Sequence, residues 1–450
     1  MIKKEMLPLR LLLLGCFSIK VMTVSLDDDP SLWPGHLKPF GSEQKSANVE
    51  TIDHWPSPQD FFEDYNDNSR PVLFKGLAKK SPAFTLWDDE YLKNHPGADK
   101  SLVFVEKQKK ENRTLGGTEI SLKQFIETYQ KEEIYMVNGC PKIIRKDVLI
   151  PPPLRCEETR RYLLDAVTWF SSGGTQSVIH HDDLDNINCL FRGQKELVFV
   201  SYDKYGDFLP LDQGGYSSID VDKVNFTAFP QVRKVQEYVR ASMEAGDCLF
   251  IPYKWIHQVN SIANEKKQNV AVNIWFKHTR GHKPKTCKLS PEDATIDKYY
   301  FSELEKTQAS IDGREPPKET PIEKYEAFLD ETKKLRMKFS TFVKLYYMSE
   351  ILDDEVREFA EENSEELNKV LKKIFDALDY TDNGSVNHAD FEQAIVDGKE
   401  KEQHQKILEA ETLVEDFFKN SVDDQTNGVT RDAEDESDGE EVNKRPTGEL

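Results

Sequence analysis

The segment Gly174–Asn186, which reads GTQSVIHHDDLDN, places His180 and Asp182 two residues apart in a run predicted to be extended. Alternate side chains of a β-strand project from the same face, so this imidazole and this carboxylate should converge on one point. A third ligand lies 75 residues after Asp182, where the segment GDCLFIPYKWIHQVNSI carries His257 within an apolar run. The pattern therefore predicts two strands of a β-rich domain that meet at a metal ion.

The three donors are typical of one class of metal centre. Two histidines and one carboxylate on one side of Fe(II) leave three positions open for a cosubstrate and O2. A structural zinc site would need a fourth protein ligand, usually Cys or His, and His181 is predicted to point to the opposite face of its strand. A single His-x-Asp pattern also arises by chance on solvated strands, so the interpretation depends on the residues around it.

Two further elements strengthen the interpretation. Lys195, 15 residues after His180, opens the strand KELVFVSY, and Asn273 lies on the later strand NVAVNIWFKH. With the three candidate ligands, these elements resemble the Jumonji-C (JmjC) family of 2-oxoglutarate oxygenases, in particular its small hydroxylase branch, which includes the asparaginyl hydroxylase acting on hypoxia-inducible factor. The resemblance covers about half of the chain, from Pro56 to Lys277, and its four separated elements agree in order and spacing.

The resemblance implies an α+β fold whose centre is a double-stranded β-helix, a jelly-roll or cupin-like barrel. It also implies that His180, Asp182 and His257 hold Fe(II) and that 2-oxoglutarate is the cosubstrate. The many short strands between residues 151 and 278, separated by turns, agree with an all-β barrel at that place. An N-terminal α/β extension and a C-terminal helical region would flank the barrel, and Ser57 and Ser121 are expected to cap helices in the extension.

Four residues are expected to contact or neighbour the cosubstrate. Lys195 would pair with the distal carboxylate of 2-oxoglutarate, since a compact buried cation suits that group. By position in the family motif, Ser177 would donate a hydrogen bond to the same carboxylate, and Asn186 and Asn273 would lie beside the iron. Without the resemblance, Lys195 would be interpreted as a surface charge and the asparagines as turn or sheet residues.

The N-terminus carries two lysines and then the apolar run Leu11–Ile19, which is shorter than the roughly 20 residues needed to span a bilayer. We interpret it as a cleavable secretory signal, with no stable membrane insertion after cleavage; an uncleaved anchor or a chance apolar terminus is the alternative. The predicted segments are a signal peptide at 1–25, an N-terminal extension at 26–145, the barrel core at 146–285, a helical domain at 286–434 and a disordered acidic tail at 435–450.

Cysteines and sequons bear on the compartment. After removal of a signal containing Cys16, five cysteines remain, and this odd number leaves at least one thiol free or paired with another chain. Cys140 and Cys156 would either form a disulfide across the Pro-rich loop between them or remain ordinary buried thiols. Three sequons fit a chain that resides in the endoplasmic reticulum lumen or is secreted, and they begin at Asn112, Asn225 and Asn383.

The stretch DYTDNGSVNHAD, residues 379–390, resembles an EF-hand loop. Oxygen ligands alternate along such a loop, and a central glycine, here Gly384, permits its sharp turn around Ca2+. Thr in the third position and Asp in the twelfth depart from the pattern, so weak Ca2+ binding and a purely structural loop both stay open. A second candidate at 423–434 lacks the apolar eighth residue, and we favour a structural interpretation there. The Ca2+ ligands expected in the first loop are Asp379, Thr381, Asn383, Ser385 and Asp390.

The chain has 81 acidic and 60 basic residues and a net charge of −21, so a nucleic acid partner is not expected. A protein or peptide substrate is expected instead, and the C-terminal helices would form either a homodimer interface or an internal bundle. The leading hypothesis is a protein side-chain hydroxylase of the secretory pathway. The alternatives are a JmjC lysine demethylase, a non-catalytic Ca2+-dependent luminal binding protein and a zinc cupin of another activity.

Overall fold

Two β-sheets face each other around the segment that carries His180 and Asp182. The structure is a computed structural model, and it describes residues 29–107, 116–132, 134–285, 287, 289–311, 314–315, 320–331, 336–349 and 359–429. The predicted signal peptide, the sequon at Asn112 and the predicted acidic tail lie outside these residues.

The smaller sheet has five strands and the larger has nine. In spatial order, the smaller sheet contains β1 (Ser46–Asn48), β11 (Tyr238–Glu244), β10 (Gln194–Ser201), β13 (Trp255–Ile262) and β8 (Thr175–Gln176). The larger sheet contains β2 (Glu50–Ile52), β3 (Val72–Phe74), β12 (Cys248–Ile251), β9 (Asp185–Arg192), β14 (Asn269–Phe276), β7 (Leu163–Ser171), β6 (Ile134–Gly139), β4 (Leu102–Lys107) and β5 (Thr118–Ser121). The pairs β1–β11 and β2–β3 are parallel, and the other neighbouring strands of the described chain are antiparallel.

The alternation along β9 separates the barrel interior from its exterior. Ile187, Cys189 and Phe191 pack into the large apolar cluster that the barrel shares with the N-terminal extension. Leu190 belongs instead to the apolar cluster between the two sheets, together with Phe199 of β10. Successive side chains of a strand point to opposite faces, so Asn186 and Asn188 face the interior as Leu190 does. This arrangement confirms the predicted α+β class with a jelly-roll barrel.

The helices of the N-terminal extension pack against the larger sheet of the barrel. Asp60 N donates to Ser57 Oγ at 3.1 Å and Gln124 N donates to Ser121 Oγ at 3.1 Å, which confirms both predicted caps. The α-helices are α1 (Pro58–Asp60), α2 (Ala83–Leu86), α3 (Asp89–Lys93), α4 (Leu122–Thr128), α5 (Glu157–Arg160), α6 (Tyr202–Tyr205), α7 (Ser302–Ile311), α8 (Pro321–Glu331), α9 (Phe339–Ser349), α10 (Ser364–Leu378), α11 (His388–Val396) and α12 (Glu400–Val429).

Helices α8 to α12 surround an apolar cluster of their own. The segment that joins α8 to α9 and the segment that joins α10 to α11 meet at Met337 and Val386, whose backbones exchange hydrogen bonds of 2.9 and 2.8 Å. Helix α12 adds Ile407 and Val414 to the cluster and packs along α10. The described C-terminal helices therefore form an internal bundle of two joined helix–loop–helix units and a long last helix.

The second candidate Ca2+ loop, at 423–434, does not form a loop over the residues that the structure describes. Helix α12 continues to Val429 and so includes the first seven residues of that stretch. No Pro interrupts the run from Glu400 to Val429, and its single glycine, Gly428, is the next-to-last residue. In the described part of the chain, no helix is long and apolar enough to cross a membrane.

A buried ion pair joins the helical bundle to the barrel. Arg161, directly after α5, places its guanidinium 3.2 Å from the carboxylate of Glu326 on α8, and Glu326 is only 1% exposed. The same guanidinium carbon lies 5.9 Å from the ring centre of Phe391 on α11. Arg161 therefore contacts both helix–loop–helix units at once.

Two disulfides lie in the barrel region, and neither is the predicted Cys140–Cys156 pair. Cys156 bonds to Cys287, and Cys189 bonds to Cys248 across the neighbouring strands β9 and β12. Cys140 is a free, fully buried thiol, and burial raises its pKa to about 12. Cys140 is thus a buried thiol, one of the two outcomes expected for it, whereas the bond between Cys156 and Cys287 was not expected. Nearness along the chain indicates neither bridge, because the partners are 59 and 131 residues apart, and only Cys189 and Cys248 lie on neighbouring strands.

Candidate metal centre

The structure brings His180, Asp182 and His257 together. Each offers one ligand atom, and these atoms lie within 4.8 Å of one another. His180 lies between β8 and β9, Asp182 lies three residues before the start of β9, and His257 is the third residue of β13. The group therefore forms where the smaller sheet meets the start of a strand of the larger one.

Backbone contacts set the orientation of both imidazoles. His180 Nδ1 lies 2.9 Å from the carbonyl oxygen of Val178, and His257 Nδ1 lies 2.8 Å from that of Trp255. A carbonyl oxygen accepts only, so each Nδ1 must carry the proton. Each Nε2 is left with a free lone pair, which is the state that a metal ligand requires.

The electrostatics of the cluster favour a bound cation. Burial raises the pKa of Asp182 above its ordinary value, because the carboxylate loses water without gaining a cation. Burial, followed by the nearby His180, lowers the pKa of His257 well below its ordinary value and keeps that imidazole neutral. The two imidazoles and the destabilised carboxylate form a donor set that a divalent metal would stabilise.

Lys195 is a buried cation in the barrel interior. It is 5% exposed, and its Nζ donates to Ser261 Oγ at 2.9 Å across the β10–β13 pair. Burial lowers its pKa to about 8. Among the residues that the structure describes, no carboxylate forms an ion pair with it. Such a site suits an anionic ligand that enters the barrel.

Ser177 is positioned by the backbone of β13. Its N–H donates to Val259 O at 3.0 Å, and its hydroxyl accepts from Val259 N at 2.9 Å. The hydroxyl hydrogen therefore stays available to a further acceptor.

The interior of the larger sheet carries more amides than the sequence interpretation assigned. Asn186 lies opposite Trp275 across β9 and β14, and Asn188, two residues further along β9, lies opposite Asn273. The Oδ1 atoms of all three asparagines are buried and have no hydrogen-bond partner among the residues that the structure describes. Asn188 was not predicted, although its spacing of two from Asn186 on a strand places both on one face.

In the predicted Ca2+ loop, the side chains bond to the loop itself. Asp379 accepts from Asn383 N at 3.0 Å and from Gly384 N at 2.7 Å. Asp390 is fully buried and accepts from Thr381 N, Thr381 Oγ1 and Asn387 N at 3.0, 2.7 and 2.9 Å. Ser385 donates to Asn383 Oδ1. Burial raises the pKa of Asp390 above its ordinary value. The carboxylate that closes the loop is therefore buried and already hydrogen-bonded within the loop.

Comparison with known proteins agrees with this geometry. Residues 58–282, half of the chain, match the family model described as a cupin-like domain. Over 261 residues the chain is 26% identical to the tRNA wybutosine-synthesizing protein 5 of Gallus gallus, covering 52% of this chain and 79% of that protein.

Two other relatives are covered less completely. Over 254 residues the chain is 25% identical to Jumonji C domain-containing protein 5 of Drosophila melanogaster, covering 55% of this chain and 58% of that protein. Over 238 residues it is 23% identical to lysine-specific demethylase 8 of Danio rerio, covering 50% of this chain and 57% of that protein. The chain thus spans less than two thirds of the length of either relative.

Proposed function

The chain belongs to the cupin-like family of JmjC domains, and on this basis we propose that it is an Fe(II)- and 2-oxoglutarate-dependent dioxygenase that hydroxylates protein side chains. The observation that carries the proposal is Lys195, a buried ammonium in the same barrel as the three candidate metal ligands and, within the described part of the chain, without a carboxylate partner. A charge buried in this way is unfavourable in the free protein. It is explained if an anionic cosubstrate completes the site.

The residues present fit both groups. His180, Asp182 and His257 would hold the iron, and Lys195 with Ser177 would bind the distal carboxylate of 2-oxoglutarate. When bound, iron and 2-oxoglutarate couple oxidative decarboxylation of the cosubstrate to hydroxylation of a C–H bond. The apolar cluster between the sheets, which includes Phe199 beside His257, keeps bulk water away from the ligands.

Net charge supports a protein substrate over a nucleic acid. A chain with a net charge of −21 repels a polyanion, so the reaction named in the tRNA wybutosine-synthesizing relative is the less suitable one here. Similarity to lysine-specific demethylases favours a second candidate, the oxidative demethylation of methyl-lysine. Both candidates require the same metal centre and differ in product.

The test of the activity uses the purified full chain with Fe(II), ascorbate and 2-oxoglutarate under O2. Succinate release is expected from the wild type, and Asp182→Ala should abolish it because the only anionic ligand is lost. Asp183→Ala is the matched control, since the neighbouring carboxylate is 70% exposed and is not a ligand, and it should retain activity. Equal turnover by Asp182→Ala and the wild type would contradict the proposal.

Peptide mass spectrometry separates the two reactions. A hydroxylase adds one oxygen atom to a substrate peptide, whereas a demethylase removes a methyl group from a methyl-lysine peptide and releases formaldehyde. Formaldehyde from methyl-lysine peptides, without any oxygen addition to other peptides, would favour the demethylase.

The proposed location is the secretory pathway, either the endoplasmic reticulum lumen or outside the cell. Its support is the signal-like N-terminus together with the Cys156–Cys287 and Cys189–Cys248 disulfides, which persist in oxidising compartments. Protein made in secretory cells should begin between residues 19 and 26 and carry a glycan at Asn112 or Asn225. Terminal sequencing and glycosidase treatment, with Asn225→Gln as control, check this. An intact N-terminus with no mobility shift would refute the location.

A further inference from the structure

A cavity of about 280 Å³ lies outside the barrel, between α7 and the segment that follows β6. Its charged lining is entirely basic: Lys100, Lys142 and Arg145 contribute to it, and none of the described carboxylates does. The whole chain has 81 acidic against 60 basic residues, so the cavity reverses the sign of the charge that prevails elsewhere. Such a lining is suited to an anionic group.

Two of the three cations in the cavity are not neutralised by the protein. Arg145 is buried and donates through Nη1 to Glu305 Oε1 and through Nε to Cys140 O, each at 2.8 Å. Lys100 and Lys142 are exposed, and neither has an ion pair within the ranges that the structure describes. Two ammonium groups are therefore available to an anion, beside a guanidinium that has further N–H donors.

Apolar side chains complete the lining of the cavity. Leu102 of β4, Ile143 and Leu304 of α7 contribute to it, and Leu102 is 43% exposed. A small inorganic anion would leave these side chains in contact with water. A peptide segment in which an acidic residue has an apolar neighbour would use both the apolar and the cationic parts, as at the apolar core and polar rim of a protein interface.

A row of neighbouring side chains connects the metal end of the barrel to the cavity. Asn186 of β9 lies opposite Trp275 of β14, and Trp275 lies opposite Asp165 of β7. A Cβ atom on Gly139 of β6 would lie 3.9 Å from Asp165 Oδ1 and 2.5 Å from Leu304 Cδ1. Gly139 and Leu304 both line the cavity. The row spans three strand spacings, about 15 Å, which an extended peptide covers with about four or five residues.

We propose that this cavity is a docking site for an acidic side chain of the protein substrate, an Asp or Glu about four to six residues from the residue that is hydroxylated. Salt screens charges beyond about 8 Å, so the cations of the cavity, and not the net charge of the chain, determine which side chain binds there. The inference rests on the proposed function, because its occupant is the substrate of that function, and it names the class of that substrate.

Binding of a defined peptide to the full chain tests the inference without metal or turnover. The probe is the acetylated and amidated peptide Leu-Glu-Glu-Leu, and the matched probe Leu-Gln-Gln-Leu has a similar size and no charge. Calorimetry should show affinity weaker by about tenfold or more for the glutamine peptide, as for the loss of one hydrogen bond between charged groups. Lys142→Glu, alone or with Lys100→Glu, should weaken binding of the glutamate peptide by at least as much.

Lys146→Glu is the matched control. Lys146 is exposed on the same helical segment, Lys142–Asp147, and does not line the cavity. This variant should bind the glutamate peptide as the wild type does, and circular dichroism should show that all variants fold. The inference would be overturned by equal affinity of the wild type for the two peptides, by no binding of either, or by equal weakening in Lys142→Glu and Lys146→Glu.

The distance along the substrate is checked with the chain loaded with Fe(II) and 2-oxoglutarate and a tryptic digest of microsomal proteins. Mass spectrometry should find Asp or Glu enriched about four to six positions from the residues that gain oxygen, and no enrichment there would refute the substrate role of the cavity. A wild type that binds the glutamate peptide but releases no succinate would refute the proposed function and retain a site for acidic peptides. Succinate release without discrimination between the two peptides would refute the inference alone.

Discussion

His180 and His257 donate backbone hydrogen bonds to each other, with N···O distances of 3.0 and 2.7 Å, and their ring centres lie 4.3 Å apart. The main chain, and not the side chains, therefore sets the distance between the two imidazoles. These backbone hydrogen bonds would remain if either ring were removed. The ligand positions are thus organised before a metal arrives, which lowers the conformational cost of binding it.

Replacing one imidazole should therefore remove metal binding and leave the fold in place. For His257→Ala we expect Mn(II) affinity to fall by more than about hundredfold, because loss of an outer partner alone costs about 10- to 100-fold. Far-UV circular dichroism should match the wild type. His54→Ala, at a histidine whose side chain is 70% exposed, serves as control. Wild-type metal affinity in His257→Ala would exclude this residue as a ligand.

Lys195 should lower the stability of the ligand-free protein. Its pKa falls from 10.5 to about 8 on burial, so the unfolded chain binds more protons than the folded chain between these values. Wild-type stability should therefore rise as pH increases from 8 to 10.5. Lys195→Met removes the buried charge and should gain about 3 kcal/mol near pH 7, with the gain shrinking as pH rises. Urea unfolding at pH 7 and pH 9.5 checks this, and a gain independent of pH would contradict it.

The same ammonium should make 2-oxoglutarate binding depend on pH. Above a pH of about 8, Lys195 loses its proton and the affinity of the wild type should fall by up to about tenfold per unit. Lys195→Met should bind more weakly by about 3–5 kcal/mol if the pair is well desolvated, and without that pH dependence. Calorimetry of the Mn(II)-loaded proteins between pH 7 and 9.5 measures both. Strong binding by Lys195→Met would show that another cation holds the distal carboxylate.

Breaking the ion pair between Arg161 and Glu326 should destabilise the chain strongly. Arg161→Ala leaves the carboxylate of Glu326 buried without its cation, at a cost of about 3–5 kcal/mol. Replacing both residues by Met should recover most of this loss. Lys369→Ala, in an ion pair exposed by 70% and 91%, should change stability by less than about 1 kcal/mol. Urea unfolding of the four proteins checks the set, and equal effects of Arg161→Ala and Lys369→Ala would contradict it.

Ca2+ binding at 379–390 should be weak. Asp390 already accepts hydrogen bonds from Thr381 and Asn387, so an ion must compete with contacts that close the loop. We expect a dissociation constant in the range of about 10⁻⁵ to 10⁻³ M. Calorimetry at millimolar Ca2+ should show heat that Asp379→Ala removes. If Asp379→Ala leaves the heat unchanged, or no heat appears, the loop is structural.

The residues expected at the metal centre could be found from the sequence because their signals are local. The two-residue period expected of a strand places His180 and Asp182 together, although the structure has His180 in an isolated bridge and Asp182 in the loop before β9. Lys195 stands at a fixed distance from them along the chain. Asn188 follows the same period from Asn186, but it has no role in the family motif, so no function was predicted for it. The alternation of β9 would have identified it as a further side chain in the barrel interior.

Features that depend on long-range pairing could not be found in this way. The disulfide partner of Cys156 is determined by where the chain goes after β14, which no local pattern describes. The bridge between Met337 and Val386 also had no signal, because the segment around Met337 lacks the acidic residues of a Ca2+ loop. Local patterns therefore indicated which residues share a candidate site better than they indicated which distant segments meet.

The connectivity of the two disulfides has a consequence for biosynthesis. A ribosome produces Cys140, Cys156 and Cys189 before either Cys248 or Cys287, so these three thiols, besides Cys16 of the predicted signal, are on the nascent chain before either native bridge can form. Burial of Cys140 between β6 and β7 removes one of them from wrong pairing. Cys287 follows His257 by 30 residues, so the bridge to Cys156 can close only after every metal ligand has been translated. A chain with both native bridges is therefore one in which all three candidate metal ligands have already been synthesised.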